Sequence, residues 1–173
     1  MESGREELHR AVADALTDNR GASMGELAAS AGVSRATLHR VYGNRDDLNV
    51  EVYGWLLDQC DTALDSAGID SGPVLEGFDS LIEESYPLAQ SYWLLIATPS
   101  LEKVPALLAR IEAQDKRIDR FFRRGQDEGV FRPDLPPRWL VSTLGAPVMS
   151  LSLIHIPEPT RRLSSSHAVF CSK

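Results

Sequence analysis

The sequence predicts an all-α protein: an N-terminal three-helix domain containing a helix-turn-helix, joined by a long helix to a second helical domain. Three observations predict it. Apolar residues recur at three- and four-residue spacing almost throughout, and strand-like alternation never persists. Cap and turn residues punctuate the first 47 positions at short intervals, after which the apolar stripes lengthen. The stretch SRATLHRVYGNR, Ser34 to Arg45, holds three arginines, a histidine and no acid, in a chain whose formal net charge is −7.

The first stripe is Leu8, Ala11, Val12, Ala15 and Leu16, closed by Asn19-Arg20-Gly21. Ser23 with Glu26 three residues on is a capping box, which satisfies the orphan N–H groups of a helix start. Met24, Leu27, Ala28 and Ala31 form the buried side of that short second helix, and Gly32 supplies a turn at positive φ. Ser34 caps a third helix that runs through Tyr42 and stops at Gly43. Asn44 caps a fourth, with Asp46 and Asp47 in its first turn, where the helix dipole favours negative charge.

The fourth helix carries two apolar faces: Leu48, Val52, Trp55, Leu56 and Gln59 on one, Val50, Tyr53, Leu57, Cys60 and Leu64 on the other. A helix apolar on two sides packs between two layers. Ser66–Pro73 reads as a linker rich in turn formers. Val74, Phe78, Leu81 and Ile82 mark a fifth helix, broken near Pro87, and Leu88, Tyr92, Leu95 and Ile96 mark a sixth. The longest stripe is Val104, Leu107, Leu108, Ile111, Ile118, Phe121 and Phe122, ending at Gly125 or Gly129. FRPDLPP follows as a loop, and a last helix starts at Trp139, Leu140, Thr143 and Leu144.

Composition narrows the function. At 173 residues, 43% hydrophobic and 25% charged, the chain is an ordinary globular sequence. Cys60 and Cys171 are far apart and form neither a metal-ligand nor a redox spacing, and no metal or cofactor is expected. No apolar run reaches the roughly 20 residues needed to span a bilayer, and MESGREELHR lacks a signal-peptide core, so a cytoplasmic location is expected. There is no Walker loop, paired-carboxylate site or nucleophile elbow, so an enzyme is not expected. A short helix, a turn and a basic second helix are the plan by which the second helix enters the major groove. Arginine's planar fork matches guanine or phosphate in two-point fashion, and an acid on the same face would repel phosphate. Contact with double-stranded DNA is therefore expected from Ser34, Arg35, Ala36, Thr37, His39, Arg40, Tyr42 and Arg45. His39 has no Cys, His or acid at ligand spacing, which argues against a metal role.

The stretch ELAASAGVSRATLHRVYGNRDDL, Glu26 to Leu48, resembles the DNA-binding domain of TetR-family transcriptional regulators, and the resemblance covers about the first 60 residues. Two positions depart from the family pattern: His39 stands where a phosphate-touching tyrosine is common, and Val41 where a histidine is common. The resemblance implies a homodimer in which residues 1–47 read DNA and residues 48–150 bind a small-molecule effector and dimerise. The fourth helix would act as the lever between them. It also implies a regulator that is most often a repressor. Aromatics of the second domain are mostly core, and Tyr86, Tyr92, Trp93 and Phe121 are the candidate effector-pocket residues. The alternative is an all-helical interaction module whose helix-turn-helix contacts protein.

The tail reads differently. In LSLIHIPEPTRRLSSSHAVFCSK, Leu151 to Lys173, Pro157 and Pro159 break any helix and the serine run carries no period. These words resemble a transposase-delivered sequencing adaptor translated in frame. They depart from its first eleven residues only at Pro157, and after a gap match it at Ser166, Ala168, Val169, Phe170, Cys171 and Lys173. The expectation is that 151–173 is non-native and the second domain is cut. Without those residues the net charge is −9. The first of the two helices that would build the dimer bundle would start near Pro137, weakened by Gly145 and Pro147. The second would be missing, and the dimer compromised.

Overall fold

The computed structural model describes residues 2–88 and 104–136. Among them every regular element is helical: α1 Glu2–Asp18, α2 Met24–Ser30, α3 Arg35–Tyr42, α4 Arg45–Ser66, α5 Val74–Ser85, a 3₁₀ turn Tyr86–Leu88, and α6 Pro105–Asp127. The expected helices around Leu88–Ile96 and from Trp139, and the whole 151–173 tail, lie outside the described residues. The chain separates into two compact units, Met1–Gln59 with Gln90–Arg110, and Cys60–Ala89 with Ile111–Lys173. No helix among the described residues is long and apolar enough to cross a membrane.

In the first unit the short elements are set by local hydrogen bonds. The Ser23 N–H donates to Glu26 Oε2 at 2.7 Å while the Glu26 N–H donates to Ser23 Oγ at 3.3 Å, completing the capping box. After α2 the chain turns through Gly32 at φ 67°, a left-handed value that glycine adopts without a Cβ clash. Ser34 Oγ accepts from the Thr37 N–H at 3.0 Å and starts α3. Gly43, at φ 77°, ends α3, its N–H bonded to His39 O. Asn44 Oδ1 then accepts from the N–H groups of Asp46 and Asp47 at 2.9 and 3.0 Å, which starts α4. Val12, Ala13 and Leu16 of α1, Leu27 and Ala28 of α2, and Leu38 of α3 are buried. Ala13, outside the expected stripe, is buried, whereas Ala15 is only half-buried. On α4, Leu48, Val52, Tyr53, Leu56 and Leu57 are buried, but Val50 is 37% exposed and leaves its expected face.

The second unit is built on aromatics. Phe78 of α5, Phe121 and Phe122 of α6 and Phe131 beyond it are each at most 1% exposed, with Leu64, Val74, Leu81 and Ile82 around them. Ring centroids lie 5.1–6.3 Å apart, mostly edge to face, the arrangement favoured by ring quadrupoles. Helix α6 runs through Gly125 and ends at Asp127. The N–H groups of Val130 and Phe131 return to Gly125 O at 2.8 and 3.0 Å across Gly129 at φ 73°. That return brings Phe131, expected in a loop, into the core.

Ser66–Pro73 is not a loose linker. Ile69 is 1% exposed and Ala67 5%, and Arg124 donates to the Ile69 carbonyl at 3.0 Å. Arg117 spans Asp65 and Asp70 at 2.7 and 2.6 Å. Turn formers set the path of this segment, but Ile69 and the carboxylate of Asp70, with Asp65 just before it, fasten it to α6.

Candidate nucleic-acid interface

Residue by residue, α3 presents one face. Ser34, Arg35, Ala36, His39 and Arg40 are exposed, Thr37 is half-buried and Leu38 is fully buried. The period of 3.6 makes this inevitable: Leu38 and Tyr42 are one turn apart on the inner side, while Arg35 and His39 are one turn apart on the outer. Thr37 joins the cap, its hydroxyl 2.9 Å from Ser34 Oγ.

The arginines of this face differ from most others. Arg5, Arg10, Arg110, Arg117, Arg123 and Arg132 each face a carboxylate within 3.4 Å. Among the described residues the side chains of Arg35 and Arg40, like that of Arg120 on α6, have no hydrogen bond or ion pair. Two guanidinium groups left unpaired in an acidic chain keep all their donors for an external anion.

Two residues expected at the interface are engaged within the chain itself. Tyr42 is 3% exposed, its ring 5.6 Å from that of His9, and belongs to the core beneath the reading face. It is the inner-face partner of Leu38, which its polar hydroxyl disguises in the sequence. Arg45 is half-buried and donates to the carbonyls of Ala22 and of Arg20, the latter at 2.9 Å. Its guanidinium thus clasps the α1–α2 turn to the start of α4 and satisfies carbonyls that no helix uses.

Sequence reasoning missed the junction behind α3. His9 of α1 lies between Tyr42 and Trp55 of α4, 6.0 Å from the latter ring, with its Nε2 3.8 Å from Glu51 Oε2. Arg5, one turn earlier on α1, binds Glu51 at 2.5 Å. Among the described residues His9 Nε2, Tyr42 Oη and Trp55 Nε1 are buried without a hydrogen-bond partner. Burial lowers the His9 pKa, aided by the Arg5 charge and opposed by Glu51. Burial, with Glu51 next, raises that of Tyr42. The signal lay in Arg5 and His9, four apart on α1, facing Glu51 and Trp55, four apart on α4.

Of the candidate effector residues, Tyr86 is half-buried just beyond α5. Phe121 is 1% exposed within the aromatic core, with the Arg124 guanidinium 5.8 Å from its ring centre. Tyr92 and Trp93 lie outside the described residues. Among the described residues no group of three or more His, Cys, Asp or Glu side chains could hold a metal ion.

No family model matches the chain. It is 34% identical over 144 residues to the HTH-type transcriptional repressor LfrR of Mycolicibacterium smegmatis, spanning 80% of this chain and 75% of that protein. It is 36% identical over 135 residues to the HTH-type transcriptional regulator NfxB of Pseudomonas aeruginosa, spanning 75% of this chain and 71% of that one. Among solved structures, the TetR-like regulator LfrR of Mycobacterium smegmatis in complex with proflavine superposes with TM-score 0.71 at 25% identity, over 94% of this chain and 93% of that one. The ketosteroid regulator KstR2 of Mycobacterium tuberculosis shares the fold with TM-score 0.74 at 17% identity, over 98% of this chain and 95% of that one.

Proposed function

The chain belongs to the TetR family of helix-turn-helix transcriptional regulators, and from that premise we propose that it is an effector-responsive repressor whose DNA face is Ser34, Arg35, Ala36, Thr37, His39 and Arg40. The observation that carries the assignment is the exposed, unpaired state of Arg35 and Arg40 on a helix of eight residues free of acids. In a chain of net charge −7, DNA contact has to be confined to such a face. Ser34 and Thr37 hold the helix start at the groove. Ala36, exposed and small, lets the backbone approach base edges and can meet a thymine methyl. Arg45 and Tyr42 support the face from beneath, Arg45 keeping its remaining donors for a phosphate at the head of α4.

Repression would then follow from occupancy of an operator by a homodimer, each chain reading one half-site. The effector would be a planar aromatic small molecule, the chemistry of the proflavine bound by the related regulator. Of the described residues, Tyr86 is the proposed lining. The effector acts only through unequal affinity for the DNA-competent and DNA-incompetent states.

Selection of duplexes from a randomised pool, followed by fluorescence anisotropy, tests the reading. The recovered duplex should bind with affinity that falls steeply between roughly 50 and 200 mM salt. Replacing Arg35 or Arg40 with alanine should cost about 1–3 kcal/mol where the side chain reads a base, or flatten the salt dependence where it holds a phosphate. A double variant that binds the duplex as tightly as the parent chain would overturn the assignment and favour the protein-interaction alternative.

A further inference from the structure

We propose that His39 is a proton-linked phosphate anchor: it meets the DNA backbone as an imidazolium, so proton uptake accompanies binding of the duplex. The inference rests on the DNA-binding reading above and adds to it the chemistry of one residue and a pH dependence.

The argument begins with a tautomer. His39 Nδ1 lies 2.6 Å from the Gly43 carbonyl oxygen. A carbonyl oxygen only accepts, so Nδ1 carries the hydrogen. Gly43, at φ 77°, closes α3 with a turn, and its carbonyl meets the His39 ring. The neutral ring therefore offers only the bare lone pair of Nε2 to the outside. A phosphate oxygen is also only an acceptor, and two lone pairs facing each other repel. Moving the hydrogen to Nε2 would set Nδ1 lone pair against carbonyl at the same 2.6 Å. Protonation removes the conflict: Nδ1–H stays on Gly43, and Nε2–H becomes a charged donor, the stronger kind of hydrogen bond to an anion.

Position selects phosphate over a base edge. A reading helix places its N-terminal residues at base edges. Arg35 and Ala36 are the first two residues of α3, whereas His39 is in its last turn, beside Arg40. In that docking plan the C-terminal end of α3 would lie nearer the DNA backbone than its first turn. His39 is exposed. The charged groups around it are Arg35 and Arg40 on α3, with Asp47 turned toward Gly43 from α4 and held by Asn44 Nδ2 at 2.5 Å.

Linkage fixes the sign. A proton bound more tightly in the complex than in the free chain makes DNA affinity rise as pH falls, by at most roughly tenfold per pH unit for one proton. The test uses the full chain and the duplex recovered by selection, titrated calorimetrically near pH 7 in two buffers of different ionisation enthalpy. Anisotropy gives affinity from about pH 8 to about pH 6. The parent chain should take up protons and bind several-fold more tightly at the acid end. His39→Gln should lose the uptake and flatten the profile. His39→Arg, a permanent cation, should show no uptake and keep tight binding at the alkaline end. Equal proton uptake by His39→Gln and the parent chain, or a parent profile without slope, overturns the inference. A selection that yields no duplex overturns instead the DNA-binding reading on which it rests.

Discussion

The reading head and the aromatic cluster of the second unit are both helical, yet different distances along the chain hold them together. In the head, the bonds that start and stop the short helices join residues two to four apart: Ser23 with Glu26, Ser34 with Thr37, Asn44 with Asp46 and Asp47, His39 with Gly43, while Arg45 and Arg5 add links to Ala22, Arg20 and Glu51. The side chains buried there are mostly small or aliphatic, such as Val12, Ala13, Leu27, Ala28 and Leu38. In the second unit, Phe78 meets Phe122 and Phe131 across more than forty residues of chain, and Arg117 and Arg124 reach back to Asp65, Asp70 and Ile69. A surface that must match a fixed groove benefits from elements whose starts and stops are set locally. The second unit relies instead on packed rings.

The largest effect should come from the second unit. Phe131→Ala removes a fully buried ring from between Phe78, Phe121 and Phe122 and should cost about 3–5 kcal/mol in chemical denaturation. A loss under about 1 kcal/mol would mean that the cluster is loosely packed and the contrast with the head is false.

Gly125→Ala sets two effects against each other. Alanine favours a helix interior over glycine by about 1 kcal/mol. The added Cβ, however, would sit 2.2 Å from Phe131 Cδ2 and 2.8 Å from Val74 Cγ1, far inside contact distance. Overpacking costs about 1–3 kcal/mol, so the substitution should destabilise on balance, and a raised melting temperature would refute that ordering.

In the head the expected effects are smaller and local. Ser34→Ala removes the acceptor of the Thr37 N–H and should cost about 1 kcal/mol. Faster amide exchange at Thr37 should accompany it, since the first turn of α3 then opens more readily. Unchanged exchange there would show that the cap is not what holds the reading helix.

The smallest effect is on pH. The His9 pKa is lowered in the folded chain, chiefly by burial. The unfolded chain therefore binds the proton first. This contribution to stability is complete above the ordinary histidine pKa and is lost as pH falls through the lowered folded value. The melting temperature should fall from about pH 7 toward pH 5, and less so in His9→Gln. A variant with the parent's slope would remove His9 as the source.

Much of the head was legible because its signals are short. Ser23-x-x-Glu26, the turn at Gly32, Ser34 and Gly43 each declare a boundary within four residues, and the structure keeps all of them. Tyr42 and Arg45 are expected on the DNA face, but the Tyr42 ring is buried and the Arg45 guanidinium donates to two carbonyls. Ser66–Pro73 had the composition of a linker, and only contacts with α6, about fifty residues on, reveal it as a fastened turn.

By itself the sequence determined the helical class, the order and limits of the short helices, and the acid-free arginine face, because caps, glycines and the 3.6-residue period act over a few bonds. Only the tertiary structure decided that Phe131 enters the core, that His9 is enclosed by Tyr42 and Trp55, and which arginines remain unpaired. Those outcomes depend on which surfaces meet when distant segments fold together, and a side chain's polarity does not reveal whether its partner is another residue of the chain or the DNA.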